Sequence, residues 1–168
     1  MRTPPFLING WDVYCHALFV DQVEALVATV ETARAKDAVG FRKKRAAKVL
    51  AAVIKTAFEV IPLDPAHESF RQGDTLGARH RHWRRAKFLQ QYRLFYRYRV
   101  DGDRKVIVLA WVNDERTLRA YESGSDAYLV FNRMLDRGHP PDDWDMLLRE
   151  AQQDKVRERA ASLRHAPA

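Results

Sequence analysis

Residues 83–113 read WRRAKFLQQYRLFYRYRVDGDRKVIVLAWVN, and this stretch decides the fold. Three runs of strand-forming residues follow one another, at 83–89, 92–100 and 105–113, and an Asp-Gly-Asp turn separates the second run from the third. The third run is apolar on both faces, which is typical of a strand at the centre of a sheet. The stretch therefore predicts an antiparallel meander.

The second run places its cations on one face. Because side chains alternate along a strand, Arg93, Phe95 and Arg97 share a face, and Arg85 and Lys87 fall on the matching face of the first run. Pairing of these strands then brings four cations together. We expect helices to pack on the opposite face and the cationic face to be open, with the Arg85 side chain exposed.

The charge of the chain is concentrated at these strands. The 168 residues carry a formal net charge of +7, while residues 71–105 alone hold eleven basic and three acidic residues, a local charge of +8. A basic patch on a nearly neutral scaffold is typical of a protein that binds a polyanion. The alternative is a solvated face whose arginines pair with acids from distant helices.

Two aromatic residues, Trp83 and Phe95, also fall on the cationic face. They would stack on exposed bases, as in proteins that bind single-stranded RNA, or form a hydrophobic cap over the sheet edge. The sequence leaves both interpretations open.

Helical periodicity flanks the three strands. Apolar spacings of three and four predict a helix through Phe19 and Val30 after a short strand at 11–16, and the next helix makes a helical hairpin with it. The further helices are predicted at 39–61, 114–121 and 125–136 and from 141 onward. We expect an α+β fold, with an N-terminal helical hairpin packed on a small antiparallel β-sheet and additional C-terminal helices.

Length and composition predict one domain over residues 1–155, followed by a frayed or disordered tail at 156–168. The sequence has no apolar run of the length that a membrane helix needs and no signal-peptide core, so we expect a cytoplasmic protein. The single cysteine, Cys15, excludes an internal disulfide, and we expect it to be a small buried hydrophobe.

The histidines do not predict a metal site. His80 and His82 lie in a basic loop with no carboxylate or cysteine near in sequence, so phosphate contact or loop exposure is expected instead. His139 is either a proton-transfer residue or a structural one. The sequence also lacks paired carboxylates for two-metal chemistry and a Gly-rich phosphate loop, so we predict no metal and no cofactor.

Several motifs in combination resemble the YhaV family of bacterial toxins, in the RelE-like group of toxin endoribonucleases. The motifs are Asn9-Gly10-Trp11, RAKF at 85–88, YRLFYRY at 92–98, WVNDERTLRAY at 111–121 and RGHPPDDW at 137–144. The resemblance implies a RelE-like toxin of a type II toxin–antitoxin system that cleaves mRNA, with the ribosome as a candidate partner. It also implies a PrlF-like antitoxin, and binding of operator DNA only through the complex with that antitoxin.

The resemblance also implies site residues. RelE-like enzymes place a basic-x-basic pair on one strand, Tyr-Arg-Leu on the next, and a tyrosine after the third. These motifs match Arg85 with Lys87, then Arg93, and then Tyr121.

Where the family has an arginine after the third strand, this chain has Glu115, which leaves Arg119 or His139 for the phosphate-clamping role. We therefore predict two sets of residues. The catalytic set is Arg85, Lys87, Arg93, Tyr121 and His139. The RNA-binding set is Arg81, Trp83, Arg84, Arg97 and Arg119.

The chemistry of these residues agrees with RNA cleavage. RNA supplies its own nucleophile, the 2′-hydroxyl, so the protein needs only cations on the phosphorane and groups that move protons. Lys87 is the candidate base, and Tyr121 or His139 the candidate acid. We predict a metal-independent endoribonuclease that leaves a 2′,3′-cyclic phosphate and a 5′-hydroxyl.

Two other functions compete with this prediction. A non-catalytic RNA-binding or ribosome-associated module would use the same basic sheet face without proton-transfer groups. A DNA-binding regulator acting alone would need a recognition helix, and the sequence shows none.

Overall fold

The computed structural model describes residues 3–167, apart from the side chain of Arg164. Five strands form one mixed sheet in the order β1-β2-β5-β4-β3. The strands are β1 (Phe6–Ile8), β2 (Trp11–Cys15), β3 (Arg84–Phe88), β4 (Tyr92–Asp101) and β5 (Arg104–Val112).

Helices cover both faces of the sheet. They are α1 (Ala17–Lys36), α2 (Arg45–Lys55), α3 (Ile61–Leu63), α4 (Ala127–Asp136), α5 (Trp144–Ala151) and α6 (Asp154–Ser162). Short 3₁₀-helices lie at Gly40–Lys43, Glu68–Phe70, Ala78–His80 and Leu163–His165, and a short π-helix lies at Thr56–Val60.

The three predicted strands of residues 83–113 are confirmed as β3, β4 and β5, with antiparallel pairing of β4 to both neighbours. β5 lies at the centre of the sheet, and its residues from Val106 to Val112 are buried, as the apolar run predicts.

The expectation of a purely antiparallel sheet is wrong, because β2 pairs parallel to β5, with Val13 opposite Ile107. Parallel neighbours need a long crossover between them, and the hydrophobic pattern of β2 does not reveal which strand it joins.

One face of the sheet packs on the N-terminal helices. Val23 of α1 and Leu50 of α2 are fully buried in one cluster with Leu94 and Ile107 of the sheet. The predicted helix at 39–61 is divided, because Lys44 has an extended backbone just before α2 begins.

The expectation of an open cationic face is wrong. α4 and α5 pack on the face of β4 that carries Phe95, and the ring of Phe95 stacks on that of Phe131 with 4.2 Å between their centroids. The apolar stripe of each helix was visible in the sequence, but a stripe does not say which face of a sheet it covers.

The predicted helix at 114–121 is also wrong, because these residues form turns. The Asn113 side chain donates to the Thr117 carbonyl, and the Asp114 carboxylate accepts from the Arg116 amide and the Thr117 hydroxyl. Such bonds compete with helix formation.

The prediction of a frayed or disordered tail at 156–168 is wrong as well. Residues 156–162 belong to α6, and Val156 and Ala160 are buried. Residues 1, 2 and 168, which belong to the predicted domain and tail, lie outside the described residues.

Cys15 is fully buried, as expected, and burial raises the pKa of its thiol. In the described part of the chain, no helix is both long and apolar enough to cross a membrane.

Candidate active site

Two arginines from neighbouring strands meet at one phenol oxygen. Arg85 of β3 donates from Nε to Tyr128 Oη at 2.9 Å, and Arg93 of β4 donates from Nε to the same oxygen at 3.1 Å. Hydrogen bonds from charged donors are stronger than neutral ones. Tyr128 therefore holds two guanidinium groups at fixed positions.

The strand register explains why these side chains meet. Lys87 pairs with Arg93, and Arg85 pairs with Phe95, so the three basic side chains share the face that α4 covers. This part of the predicted pairing is confirmed. Like charges opposite each other on a sheet repel, and the hydroxyl of Tyr128 offsets that repulsion by accepting from both arginines.

Each arginine is held at a second point. Arg85 Nη1 donates to the Ser69 carbonyl at 2.8 Å, and Arg93 Nη1 donates to the carbonyls of Gln90 at 2.7 Å and Tyr92 at 2.9 Å. Over residues 3–167, neither Nη2 atom has a hydrogen-bond partner, and the buried polar side-chain atom left unpaired is Arg84 Nε. The Nη2 groups of Arg85 and Arg93 therefore reach solvent and are the donors that an anion would meet.

The expected exposure of Arg85 is wrong. Arg85 is 9% exposed and Arg93 is 7% exposed, because α4 lies over both stems. Their side chains thus belong to the packed interior as well as to the candidate site.

A third arginine contacts the ring of Tyr128. The Arg119 guanidinium lies 4.8 Å from the Tyr128 centroid and 3.9 Å from the Tyr121 centroid. Its Nη1 donates to Asp126 Oδ1 at 2.7 Å, and the other oxygen of Asp126 accepts from the Tyr128 amide at the start of α4. One carboxylate therefore fixes Arg119 relative to Tyr128.

The Arg119–Asp126 pair stays charged despite its burial. Burial alone raises the pKa of Asp126, but hydrogen bonds from Arg119 and the Ala120 amide bring it below its usual value. Burial likewise lowers the pKa of Arg119, and the hydrogen bond to Asp126 outweighs burial and raises it.

Two predicted catalytic residues are exposed beside these buried groups. Lys87 is exposed opposite Arg93, and Tyr121 is 84% exposed with its ring against Arg119. We call the whole set the arginine–tyrosine cluster. Its members are Arg85, Lys87, Arg93, Arg119, Tyr121, Asp126 and Tyr128.

Trp83 and Arg97 lie in a different cluster. Their guanidinium–ring distance is 5.7 Å, and Arg97 also lies 5.5 Å from the Trp144 centroid and donates to the Asp142 carbonyl at 2.6 Å. Four residues along β4 separate Arg97 from Arg93 by about 13 Å. Burial lowers the pKa of Arg97, although the charge of Asp142 acts in the opposite direction.

The predicted stacking of RNA bases on Trp83 is wrong. Trp83 is fully buried, its ring packs edge-on against Phe131, and its indole Nε1 donates to Asp142 Oδ1 at 2.8 Å. Trp83 and Phe95 are both fully buried core residues, which pack between the sheet and the helices α4 and α5.

Two further predicted residues, Arg84 and Arg81, lie apart from the arginine–tyrosine cluster. Arg84 is on the other face of β3, where its guanidinium lies over Tyr98. Arg81 is exposed in the preceding loop and pairs with Asp74. Arg84 and Arg85 are neighbours in sequence, but their side chains lie on opposite faces of β3 because side chains alternate along a strand.

His139 follows the C-terminal end of α4, whereas Tyr128 lies in its first turn, so about 12 Å of helix separates them. The ring of His139 contacts that of His16 with 5.7 Å between centroids. The structure therefore does not bring His139 to the other predicted catalytic residues.

His80 and His82 do have a carboxylate partner. Asp142 Oδ1 accepts from His80 Nδ1 at 2.9 Å and from His82 Nε2 at 2.9 Å, in addition to the indole of Trp83. Burial and the charge of Arg97 lower the pKa of His82. Burial raises the pKa of Asp142, but its three hydrogen bonds outweigh that effect and lower it. No carboxylate lies near these histidines in sequence, as the sequence analysis noted, but the fold brings Asp142 to them from 60 residues beyond His82.

His80, His82 and Asp142 could together hold a metal ion. A second group of side chains that could do so contains His16, His139 and Glu150. His16 caps α1 by accepting the Leu18 amide at Nδ1, so its Nε2 carries the proton and donates to Glu150 at 2.8 Å. Burial lowers the pKa of His16.

Sequence reasoning missed Tyr128 and Asp126 as members of the cluster. Tyr128 lies on the apolar stripe of its helix, so its position in the sequence predicts a core residue. Only its hydroxyl distinguishes it from Phe131. Asp126 is the N-cap of α4, and nothing in the spacing indicates its second role toward Arg119.

Residues 13–152 match a family described as a toxin with endonuclease activity, of a toxin–antitoxin system. Ribonuclease toxin YhaV of Escherichia coli strain K12 is 46% identical over 151 residues, which cover 89% of this chain and 97% of that protein. Toxin YhaV of two other Escherichia coli strains is 46% and 45% identical over the same length. No solved structure matches this chain.

Proposed function

This chain belongs to the YhaV family of toxins, and we propose that its arginine–tyrosine cluster is the centre at which RNA is cut. The chain is the toxin of a toxin–antitoxin system and an endoribonuclease. The prediction of an endoribonuclease toxin is thereby confirmed over the two alternatives, a non-catalytic RNA-binding module and a DNA-binding regulator.

One observation carries the placement of the site. Tyr128 and three backbone carbonyls hold Arg85 and Arg93 through Nε and Nη1, which leaves the two Nη2 groups for a ligand. Preorganised donors of this kind stabilise the charge that develops on a phosphorane without having to reorganise during the reaction. We assign the scissile phosphate to these two Nη2 groups.

Proton transfer falls to the exposed members of the cluster. Attack by the 2′-hydroxyl releases one proton, and departure of the 5′-oxygen takes one up, so the reaction needs an acceptor and a donor. Lys87 and Tyr121 are the exposed titratable side chains of the cluster, and we assign the two steps to this pair. The products are then a 2′,3′-cyclic phosphate and a 5′-hydroxyl, with no metal ion required.

We also place the chain in the RelE-like group. In support, its basic-x-basic pair and its Tyr-Arg-Leu motif lie on adjacent antiparallel strands, and their arginines converge on Tyr128. Arg119 takes the phosphate-clamping role that the sequence left to it or to His139, because Arg119 contacts the rings of both Tyr121 and Tyr128.

The proposed partners follow from the charge of this face. mRNA, free or on the ribosome, is the polyanionic substrate, and an acidic segment of a PrlF-like antitoxin would cover the same cations. Operator DNA would be bound only through the complex with that antitoxin, in the cytoplasm.

The experiment is cleavage of a defined mRNA by the purified full chain in EDTA, with and without ribosomes, followed by identification of the product ends. We expect cleavage with 2′,3′-cyclic phosphate ends. Loss of cleavage on addition of EDTA, by a chain that stays folded, overturns the metal-free mechanism, and 5′-phosphate ends overturn attack by the 2′-hydroxyl. Cleavage only with ribosomes present identifies the ribosome as a partner.

A further inference from the structure

Asp142 joins two distant parts of the chain. Its Oδ1 accepts three hydrogen bonds, from His80, His82 and Trp83, so it ties the residues just before β3 to the segment just before α5. We call these four residues the Asp142 junction.

The junction contains three groups of the kind that bind zinc. His80 Nδ1, His82 Nε2 and the Asp142 carboxylate offer two nitrogens and an oxygen, all within 4.8 Å of one another. In a tetrahedral zinc site with bonds of about 2.0–2.1 Å, neighbouring ligand atoms lie about 3.3 Å apart. The observed nitrogen–oxygen distances of 2.9 Å are close to this value, so small side-chain movements would suffice.

The protons of the two histidines can be rearranged. A carboxylate only accepts, so His80 and His82 now carry protons on the nitrogens that face Asp142. In the described part of the chain, the other ring nitrogen of each histidine has no hydrogen-bond partner. The proton can therefore move to that nitrogen, which leaves the inner one free to coordinate a metal.

The group formed by His16, His139 and Glu150 lacks this freedom. His16 Nδ1 accepts the Leu18 amide as the cap of α1 and has to stay unprotonated, so the proton remains on Nε2, which faces Glu150. Coordination through Nε2 would require a doubly deprotonated imidazole or loss of the cap. The two histidine groups are therefore chemically different despite their similar composition.

The junction is also reachable from solvent. The side chains of His82 and Asp142 are 36% and 39% exposed, while that of His80 is 6% exposed. A metal ion can enter from the side of His82 and Asp142. The buried indole of Trp83 would keep its hydrogen bond to Asp142 and orient the carboxylate, as outer-shell partners do in metal sites.

We propose that His80, His82 and Asp142 form a zinc-binding site, separate from the arginine–tyrosine cluster, in which a fourth position is left to water. The nearby Arg97 guanidinium opposes the binding of a cation, so binding is weaker than at a site of three ligands alone. The bound ion replaces two hydrogen bonds with coordinate bonds and strengthens the connection between β3 and α5.

The test measures zinc binding to the purified full chain by competition with a chelating dye, together with the Tm at rising zinc concentration. His82→Gln is the main variant, because this half-exposed residue can be replaced without opening the core. Asp142→Asn is the second variant. His139→Gln, in the other histidine group, is the matched control.

We expect one Zn²⁺ per chain, a Tm that rises with zinc, and a loss of affinity in His82→Gln of more than about 100-fold, since even outer-shell partners account for about 10–100-fold. His139→Gln should bind as the wild type does. The absorption of bound Co²⁺ should show tetrahedral coordination in the wild type and in His139→Gln only. A wild type that binds no zinc, or a His82→Gln chain that is folded and retains full affinity, overturns the proposal.

Discussion

Arg85 and Tyr128 are joined by a hydrogen bond of 2.9 Å from the guanidinium Nε to the phenol oxygen, although 43 residues separate them in the chain. The bond connects β3 to the first turn of α4. Arg93 binds the same oxygen, so one hydroxyl orients two of the cations to which we assign the scissile phosphate.

Tyr128→Phe should therefore reduce both stability and activity. The ring remains, but two buried guanidinium Nε groups lose their acceptor, and an unpaired buried donor costs about 1–3 kcal/mol. We expect the free energy of unfolding to fall by about that amount and the rate of RNA cleavage by about 100-fold, because small displacements of a catalytic group have effects of that size.

Tyr98→Phe is the control for this change, since Tyr98 lies on the opposite face of β4. Urea unfolding followed by circular dichroism and cleavage of a labelled RNA give the two quantities. A Tyr128→Phe chain with normal cleavage would show that the shared oxygen does not position the arginines.

Asp126→Asn tests the ion pair with Arg119 through its pH dependence. The folded protein lowers the pKa of Asp126, so the carboxylate contributes stability above the usual Asp pKa of about 3.9, and this contribution disappears as the pH falls through the lowered value. The wild type should be more stable than Asp126→Asn by about 1–2 kcal/mol at neutral pH.

This difference in unfolding free energy should stay constant from about pH 5 to pH 8 and shrink below about pH 4. Asparagine still caps α4, so the variant isolates the charge rather than the cap. A difference that is unchanged in acid, or that grows between neutral and alkaline pH, would contradict the assignment.

Lys87→Met separates activity from folding. Lys87 is exposed, so its replacement should change the free energy of unfolding by less than about 0.5 kcal/mol. Loss of a proton-transfer group should lower the rate of cleavage by about 100-fold or more. Lys48→Met, on the exposed face of α2, is the control, and equal rates for the two variants would remove Lys87 from the mechanism.

The sequence was most informative about the strands and their faces. Alternation and an Asp-Gly-Asp turn are local signals, so the three strands and the shared face of Arg85, Lys87 and Arg93 were predictable. The parallel pairing of β2 with β5 was not, because it depends on a partner almost a hundred residues away.

The sequence was least informative about what covers the cationic face. The apolar stripe of α4 fits any apolar surface, and the choice of this face decides that Arg85 is buried and that Tyr128 reaches it. The same placement carries His139 away from Tyr128 and brings Asp142 to His80 and His82. Contacts between distant segments settle these points, and residue spacing does not encode them.

The central claim is that Arg85 holds the phosphate that is cut, and the neighbouring arginines of β3 test it most directly. The measurement is the single-turnover rate of RNA cleavage in EDTA by folded Arg85→Lys and Arg84→Lys chains. Lysine keeps the charge but has one nitrogen, so it cannot bind Tyr128, the Ser69 carbonyl and a phosphate in the way that arginine does. We predict a fall of at least about 100-fold for Arg85→Lys and a rate close to that of the wild type for Arg84→Lys. An unchanged rate for Arg85→Lys, or equal losses for the two variants, would contradict the account.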